Sequence, residues 1–524
     1  MKIKENNINK ILYWLLLISM LVRGFCAAFL EFGNDEVYYW TYALYPDWSH
    51  FDHPGMVGWI IQFFSLNLLF DSEFFIRLAS VLLTTANTYI IFRIGKEVKN
   101  ALTGLYAALL YTASLYAFVV TGIFILPDTP LNFFWLLAFW CFVKVFKAEK
   151  PNNLHLILSG LFTGLSILSK YTGAFIWLGV GLYILLFDRK RLKNPVLYLS
   201  FLISLLCCLP ILYWNLQNEF VSFSFHGDRV SLFGKPKLNF LAAELGGEFF
   251  YNNPVNFILA IVAVVMAFKK KIEIQPFFQR LVLCVALPLI GLFVFFSLTR
   301  QTLPHWNAPA YNLLILISAC YLSTPRKHSI QDGKLPKTIK WALSFMAFVV
   351  VFGMVEIKTG LIPLDHHEDT ENIGRDDFTL DMYGWCQLEE KFAVLRAEKI
   401  ASGEMRADDG IVASEWFPLA NLDYYVARPL GMKVMGIGDL NSIHKYLWIN
   451  EIRGGFQYGE DFWFFSDSHY AKDPNSVYGW WFEEITPAGV ITIERCGKTA
   501  ETYSVYMCKG LKHLPLNLAE IMAN

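Results

Sequence analysis

Residues 128–147 read DTPLNFFWLLAFWCFVKVFK, an apolar run that begins with an acidic residue and ends with lysines. A helix needs about 20 apolar residues to cross roughly 30 Å of hydrocarbon, so this run predicts a membrane span. Further runs of this kind lie at 11–30, 74–95, 101–121, 154–169, 171–187, 195–214, 253–268, 279–298, 308–323 and 338–357. We therefore expect an all-α polytopic membrane protein with about 11 transmembrane helices. The shorter run 55–70 is bordered by acidic residues and is expected to lie in the membrane interface.

The composition agrees with a membrane protein and argues against two other classes. Of the 524 residues, 55% are hydrophobic and only 17% are charged, whereas soluble domains carry about 25% charged residues. These values argue against a simple cytosolic enzyme. The formal net charge of −1 argues against a basic nucleic-acid-binding protein, so no nucleic acid is expected among the partners. The nine cysteines show no CxxC or Cys/His zinc spacing.

The distribution of lysine and arginine between alternate loops predicts the orientation. One set of loops carries 22 basic residues and the other set carries 5. Because cytoplasmic loops are enriched in basic residues, the N-terminus is expected in the cytoplasm. We expect a multi-pass protein of a bacterial inner (plasma) membrane, with the chain after residue 358 on the outer side.

The last third of the chain differs in composition from the rest. Residues 359–524 hold 14 basic and 26 acidic residues, and they contain alternating stretches such as GVITIERC (489–496). Such stretches indicate short strands between helices. We expect a transmembrane domain over 1–358 and a C-terminal soluble, extracytoplasmic α/β domain over 359–524. A Cys496–Cys508 disulfide in that oxidising space stays open.

The outer loops hold most of the unusual polar residues. The stretches are NDEVYYW (34–40), DWSHFDHPG (47–55), PDTP (127–130), SKY (169–171), HGDR (226–229) and TRQTLPHWN (299–307). Any one of these residues fits an ordinary solvated loop. Together they predict a site at the outer interface, because ionisable groups at membrane depth are costly and usually functional.

Three acidic residues are the candidate catalytic groups: Asp35, Glu36 and Asp128. A carboxylate held against an acceptor hydroxyl can act as a general base. Asp35 and Glu36 are adjacent, so they can instead hold a cation. Asp128 precedes a long apolar run, and its alternative role is a helix N-cap.

Candidate substrate-binding groups lie in or near the same loops. They are Asp52, His53, Arg77, Lys170, Arg229, Arg300 and His305. Arginine holds phosphate oxygens in a bidentate fashion, so a membrane-embedded lipid phosphate would explain the cations. For Arg77, and for Arg23 in the first run, snorkelling to the interface is the alternative. A positively charged His53 or His50 would keep Asp35 ionised, or it would bind phosphate.

The order and spacing of these segments resemble the C-type membrane glycosyltransferases of the dolichyl-phosphate-mannose protein mannosyltransferase and bacterial aminoarabinose lipid A transferase group. NDEVYYW is similar to that group's Asp-Glu motif in the first outer loop. Further similar segments are HFDHPGMVGW (50–59), FFIRLAS (74–80), PDTPLNFFWLLAFW (127–140), GLSILSKYTG (164–173), LPHWNAPAY (303–311) and IVASEWFPLANLDYYV (411–426).

The resemblance implies a C-type glycosyltransferase fold and a donor sugar linked to a polyprenyl phosphate. It implies inverting transfer to a hydroxyl of a lipid, glycan or protein acceptor on the outer face. Asp35 then matches the catalytic base and Asp128 a second cavity acid. Lys170 and Arg77 match donor-phosphate contacts.

Two departures from the group's pattern bear on the donor sugar. His53 stands where the group has lysine, so a charge at this position is expected to depend on pH. Gly55 stands where the group has a second proline, and a less rigid loop is expected.

The expected reaction is a single displacement that requires no cofactor. Polyprenyl phosphate is a good leaving group, so cations need only stabilise the charge that develops on it. A divalent metal held by Asp35, Glu36, Asp52 and the histidines is not required and stays open. The alternatives are a lipid-linked-sugar flippase or transporter, and an envelope polysaccharide polymerase or ligase. Membrane lipids are expected partners besides the donor and the acceptor.

Overall fold

Each of the eleven apolar runs is helical in the computed structural model, which describes residues 7–229, 235–325, 335–367 and 372–523. The helices of this part of the chain are α1 (Ile8–Phe29), α2 (Asn34–Leu44), α3 (Met56–Phe64), α4 (Glu73–Val98), α5 (Ala101–Thr112), α6 (Asp128–Lys147), α7 (Asn153–Ser169), α8 (Phe175–Phe187), α9 (Pro195–Cys207), α10 (Leu209–Gln217), α11 (Val221–Arg229), α12 (Leu238–Tyr251), α13 (Pro254–Phe268), α14 (Pro276–Ser297), α15 (Ala308–Leu322) and α16 (Lys337–Thr359). A π-helical turn, Tyr116–Val120, follows α5.

The long apolar helices identify a multi-pass membrane protein. Within the described residues, six helices are long and apolar enough to cross a membrane: α1, α4, α6, α14, α16 and the combined α9–α10. The pair α12 and α13, bent by 97°, would be a seventh, broken span. Four shorter apolar helices of 10–17 residues accompany them. The helical membrane fold is therefore confirmed, while the count of eleven spans stays a prediction. Helix α3, within the predicted interfacial run, has nine residues and is too short to cross.

Small residues allow neighbouring helices to approach closely. A Cβ atom on Gly160 of α7 would lie 2.1 Å from the backbone oxygen of Ser200 on α9. The Ser200 hydroxyl donates a hydrogen bond to the Leu156 carbonyl at 2.5 Å. Gly95 of α4 and Gly104 of α5 meet in the same way, since a Cβ on Gly95 would lie 2.8 Å from the Gly104 Cα. Such contacts are the usual means of helix association in lipid.

The chain divides into two units, and the boundary differs from the predicted one. The first unit comprises Met1–Phe29 and Asp47–Val350, and the second comprises Leu30–Pro46 and Val351–Asn524. The predicted division at 358/359 is therefore wrong for the segment Leu30–Pro46, which contains α2. The sequence places this segment between two apolar runs, and only its tertiary contacts reveal the unit to which it belongs.

The second unit holds α2 through hydrogen bonds to its ends. The Phe32 amide donates to the Tyr425 hydroxyl at 2.6 Å, before the helix begins. At the other end, the Lys445 ammonium donates to the carbonyls of Thr41 and Tyr45 at 2.8 and 2.7 Å. Carbonyls at a helix C-terminus lack partners within the helix, so a lysine there stabilises the end.

The second unit is built on a mixed sheet with strand order β2-β1-β3-β5-β4. The strands are β1 (Gly410–Ala413), β2 (Val434–Gly436), β3 (Phe462–Asp467), β4 (Phe482–Arg495) and β5 (Lys498–Leu511). Strand β1 pairs in parallel with β2 and β3, and β5 pairs antiparallel with β3 and β4. The helices are α17 (Trp385–Ala401), α18 (Trp416–Asn421), α19 (Arg428–Leu430), α20 (Leu440–Ile443), α21 (Tyr446–Ile452), α22 (Pro474–Tyr478) and α23 (Leu518–Ala523). A C-terminal domain of mixed helix and sheet is thus confirmed.

The two cysteines considered for a disulfide lie apart on the β4–β5 hairpin. Cys496 is exposed in the turn that follows the Arg495–Lys498 pair. Cys508 is buried towards the other end of β5, opposite Ile485. Both thiols are free, because the antiparallel register separates the two cysteines along the length of the hairpin.

Candidate functional site

Asp128 and Lys170 form a buried ion pair between the start of α6 and the end of α7. The Lys170 Nζ lies 2.7 Å from the Asp128 Oδ2, and both residues are buried. The Tyr116 hydroxyl donates to the other carboxylate oxygen at 3.2 Å. Asp128 is the first residue of α6 and makes no side-chain cap, so the N-cap alternative is wrong. A buried pair survives only when its hydrogen-bonding capacity is satisfied, which the hydroxyl helps to do.

His53 and His305 lie within electrostatic range of this ion pair. Burial lowers the pKa of His53 to about 3, with Lys170 and His226 lowering it further and Asp52 and Asp128 opposing. Burial likewise lowers the pKa of His305 to about 4. Both imidazoles are therefore neutral at pH 7, and the positive charge expected of His53 is not available there.

The loop that carries His53 is a tight turn. Ser49 and Pro54 form an antiparallel bridge, and the His50 amide donates to the His53 carbonyl at 3.1 Å. A Cβ atom on Gly55 would lie 2.7 Å from the Asp47 carbonyl oxygen, so a second proline does not fit at this position. The close approach of the backbone, rather than loop flexibility, accounts for the glycine.

Within the described side chains of the HGDR stretch, His226 contacts the site. Its Nε2 lies 2.8 Å from the Asp52 carbonyl oxygen. Its ring makes an edge-to-face contact with the Tyr171 ring, with the ring centroids 4.9 Å apart. Sequence reasoning selected Arg229 from this stretch instead. Arg229 ends α11, and its side chain lies outside the described residues.

Two buried glutamates on α12 hold the loop that carries His305, and sequence reasoning missed them. Glu244 accepts hydrogen bonds from Thr302 at 2.7 Å and from the Asn307 amide at 3.2 Å. Glu248 accepts hydrogen bonds from the same Asn307 amide and from the Tyr311 hydroxyl, the latter at 2.8 Å. Their i, i+4 spacing within an apolar segment was the available signal.

The other predicted cations of the first unit have contacts away from the ion pair. Arg77 is fully buried, donates to the Ala27 carbonyl at 3.1 Å and lies over the Phe124 ring at 5.9 Å. Arg23 is also fully buried and donates to the hydroxyls of Ser19 and Thr85. Neither guanidinium snorkels, because neither reaches the surface. The Arg300 amide donates to the Phe296 carbonyl just beyond α14.

Asp35 and Glu36 lie in the first turn of α2, within the second unit. Glu36 is buried, and its carboxylate accepts from the Gly33 amide at 3.1 Å, which caps the helix. Asp35 is exposed. Acidic residues in the first turn of a helix also stabilise it, because their negative charge interacts favourably with the positive end of the helix dipole. Their catalytic roles stay predictions.

Among the described residues, one group of three side chains could hold a metal ion, and it is not the predicted one. Asp365, His367 and Asp376 of the second unit hold donor atoms within 4.8 Å of one another. His367 Nδ1 lies 2.8 Å from Asp365 Oδ1, so this contact is satisfied by a hydrogen bond. The set predicted to hold a divalent ion, from Asp35 to the loop histidines, forms no such group in the same residues.

The chain is similar to known membrane glycosyltransferases. Residues 52–214 match the family described as dolichyl-phosphate-mannose-protein mannosyltransferase. The lipid A galacturonosyltransferase RgtD of Rhizobium johnstonii is 22% identical over 304 residues, which cover 56% of this chain and 62% of that protein. The match thus spans less than two thirds of the relative's length.

The fold is similar to that of ArnT from Cupriavidus metallidurans. The ArnT structure bound to undecaprenyl phosphate matches with a TM-score of 0.62 and 13% identity, covering 94% of this chain and 97% of that chain. The apo structure of ArnT gives a TM-score of 0.61 with coverage of 95% and 98%. These matches confirm the predicted resemblance to this group of proteins and, for ArnT, concern the fold.

Proposed function

We propose that the chain is an integral-membrane glycosyltransferase that moves a sugar from a polyprenyl-phosphate-linked donor to a hydroxyl acceptor on the outer face of the membrane. The observation that carries the proposal is the buried Asp128–Lys170 pair flanked by His53 and His305, in an ArnT-like fold. The relatives named above support a sugar-transfer reaction, and the ArnT structure with undecaprenyl phosphate supports a lipid phosphate as the leaving group.

Lys170 is the proposed contact to the donor phosphate. An ammonium ion already fixed by Asp128 keeps its remaining N–H groups for phosphate oxygens and needs no rearrangement when charge develops there. Asp128 is then a positioning residue that orients the lysine. Arg77, Arg229 and Arg300 are proposed as further phosphate contacts, and Asp52 as a substrate contact.

His53 and His305 are proposed to act as neutral hydrogen-bonding groups. Their lowered pKa values leave each imidazole with one donor and one acceptor nitrogen at pH 7. Such a group can bind a sugar hydroxyl or a phosphate oxygen without adding charge.

The proposed reaction is a single displacement with inversion. Asp35 removes the proton of the acceptor hydroxyl, and the hydroxyl oxygen attacks the anomeric carbon. The bond from this carbon to the phosphate oxygen breaks, and polyprenyl phosphate leaves with the electron pair. Glu36 keeps α2 in place through its bond to the Gly33 amide. No covalent sugar–enzyme intermediate is involved.

Lipid A is the first acceptor to test, because the relative RgtD is named for transfer to lipid A. The N-terminus is proposed to be cytoplasmic in a bacterial inner membrane, with the C-terminal domain outside. A glycan or protein hydroxyl is the next acceptor class.

The direct test uses purified protein, radiolabelled polyprenyl-phosphate sugars and lipid A. The wild type is expected to give labelled product. NMR of this product is expected to show that the anomeric configuration of the sugar has been inverted. Asp35→Asn is expected to abolish transfer, since an amide cannot accept the proton. The matched control is Asp71→Asn, another acidic residue of the same predicted outer side.

Near-full transfer by folded Asp35→Asn would contradict the proposed base. Transport of labelled lipid across vesicles without any transfer to the acceptors would contradict the enzyme assignment. If a chelator abolished activity and one divalent ion restored it, the metal-free mechanism would be wrong.

A further inference from the structure

A cavity of about 540 Å³ lies between the start of α1 and the end of α4. Its lining combines apolar and aromatic side chains, such as Leu12, Tyr13 and Tyr89, with the cations Arg93 and Lys96. Leu12 is buried, whereas Tyr13 is 61% exposed, so the cavity opens on the side of the helix pair. All of these residues belong to the first unit.

Among the described residues, the two cations of the cavity have no carboxylate partner. In the described part of the chain, neither Arg93 nor Lys96 forms an ion pair, and the guanidinium donates only to the Tyr89 hydroxyl at 2.9 Å. The acid closest in sequence, Glu97, accepts from the Trp140 indole at 3.2 Å and lies 3.9 Å from Lys147. Positive charge therefore faces the cavity without an ion-pair partner among the described residues.

The cavity lies at the ends of α1 and α4 that the loop charges predict to be cytoplasmic. The Arg93 guanidinium carbon also lies over the rings of Tyr89 and Trp140, 5.6 and 5.3 Å from their centroids. Aromatic residues favour the level of the lipid headgroups, and arginine matches phosphate oxygens geometrically. Basic pockets between transmembrane helices on the cytoplasmic side bind anionic headgroups.

We propose that this cavity binds the phosphate headgroup of an anionic phospholipid of the cytoplasmic leaflet, with Arg93 and Lys96 on the phosphate and an acyl chain along the apolar helix surface. The proposal is independent of the sugar transfer proposed above. It assigns the cavity to a resident lipid rather than to the substrate.

Native mass spectrometry of the full-length, delipidated protein tests this assignment with two lipids, dioleoylphosphatidylglycerol and dioleoylphosphatidylcholine. The wild type is expected to retain phosphatidylglycerol in preference. R93Q/K96Q is expected to weaken that retention roughly 25-fold, at about fivefold for each cation removed. The matched control is K190Q/K193Q, which removes two exposed cations of another loop of the same predicted side.

Asn9→Trp supplies a second variant that keeps both cations and obstructs the cavity, which Asn9 lines. It is also expected to reduce phosphatidylglycerol retention. Equal retention by wild type and R93Q/K96Q, or an equal loss in K190Q/K193Q, would overturn the site. Displacement of the lipid by millimolar inorganic phosphate would assign the cavity to a free anion and overturn the lipid assignment. Size-exclusion profiles confirm that each variant is folded.

Discussion

Lys170 has two separable roles, as the partner of a buried carboxylate and as the proposed contact to a donor phosphate. Replacing it with methionine leaves Asp128 charged and unpaired, which costs about 3–5 kcal/mol for a buried pair. We expect Lys170→Met to lower the thermal midpoint and to abolish transfer. The double variant D128N/K170M removes both charges, so its midpoint is expected to recover while transfer stays absent.

Thermal unfolding in detergent and the radiolabel assay measure the two properties on the same preparations. If the double variant regains activity along with stability, the lysine serves only the fold and its phosphate contact is wrong. Lys193→Met, an exposed lysine, is the control for loss of a single charge.

The half-buried residues His53 and His305 predict a loss of stability on acidification. His305 is held neutral in the folded protein by a pKa of about 4, whereas an unfolded histidine titrates near 6.5. As the pH falls through this window, the unfolded state binds a proton that the folded state does not, so the free energy of unfolding decreases. His53 adds to the effect, over a window that extends to about pH 3.

The measurement compares thermal midpoints at pH 7.5 and pH 5.0. We expect His305→Gln to reduce the acid-induced decrease, whereas His513→Gln in the second unit should leave it unchanged. A decrease of the same size in wild type and His305→Gln would contradict a neutral His305 imidazole in the folded protein.

The loop between α14 and α15 is held in place by hydrogen bonds to two side chains of helix α12. Asn307 bridges Glu244 and Glu248, so Asn307→Leu leaves two buried carboxylates short of donors at about 1–3 kcal/mol each. We expect the loop to loosen and kcat to fall about tenfold to a hundredfold through misplacement of His305. Hydrogen exchange over residues 299–307 should rise in parallel.

The control in that loop is Gln301→Ala, because Gln301 is exposed. Unchanged exchange with normal kcat in Asn307→Leu would show that the glutamates do not position the loop. Asn307→Gln, which keeps the amide, should restore part of the rate.

The contact between α7 and α9 depends on a glycine. Gly160→Leu would place carbon atoms where the Ser200 carbonyl already lies, so we expect loss of folded protein in membrane extracts. Gly181→Leu on α8 is the matched change, since a Cβ there meets nothing within 4 Å. The yield of monodisperse protein measures both, and equal yields would contradict the proposed close packing.

The helical part of the fold could be predicted from the sequence because an apolar run of spanning length has few other solutions in lipid. That Asp128 and Lys170 belong to one site could be predicted from the placement of two polar loops on the same side, but their ion pair could not. Glu244 and Glu248 could not be predicted, since they lie inside an apolar run and their partners are distant in sequence. The neutrality of His53 could not be predicted either, because burial sets the pKa and burial is a tertiary property.

For the molecule as a whole, the unit boundary is the clearest departure from sequence reasoning. Loop charges and composition divide the chain once, near residue 358, whereas the second unit is assembled from two separate stretches. Composition is an average over a long stretch of chain. It therefore cannot reveal that a short helix such as α2 packs with residues much further along the sequence. Tyr425 and Lys445 make these contacts through main-chain atoms of the segment, which leave no trace in its residue types.

This discontinuity sets an order of events during biogenesis. Leu30–Pro46 is synthesised early, and its partners Tyr425 and Lys445 follow after roughly 400 further residues, or about 20 to 80 s of translation. Throughout that interval the early segment has no folded neighbour from the rest of its unit, so its hydrogen bonds to Tyr425 and Lys445 form only after the ribosome has nearly finished the chain. A nascent chain arrested before residue 425 should therefore expose this segment to protease, while the completed chain protects it.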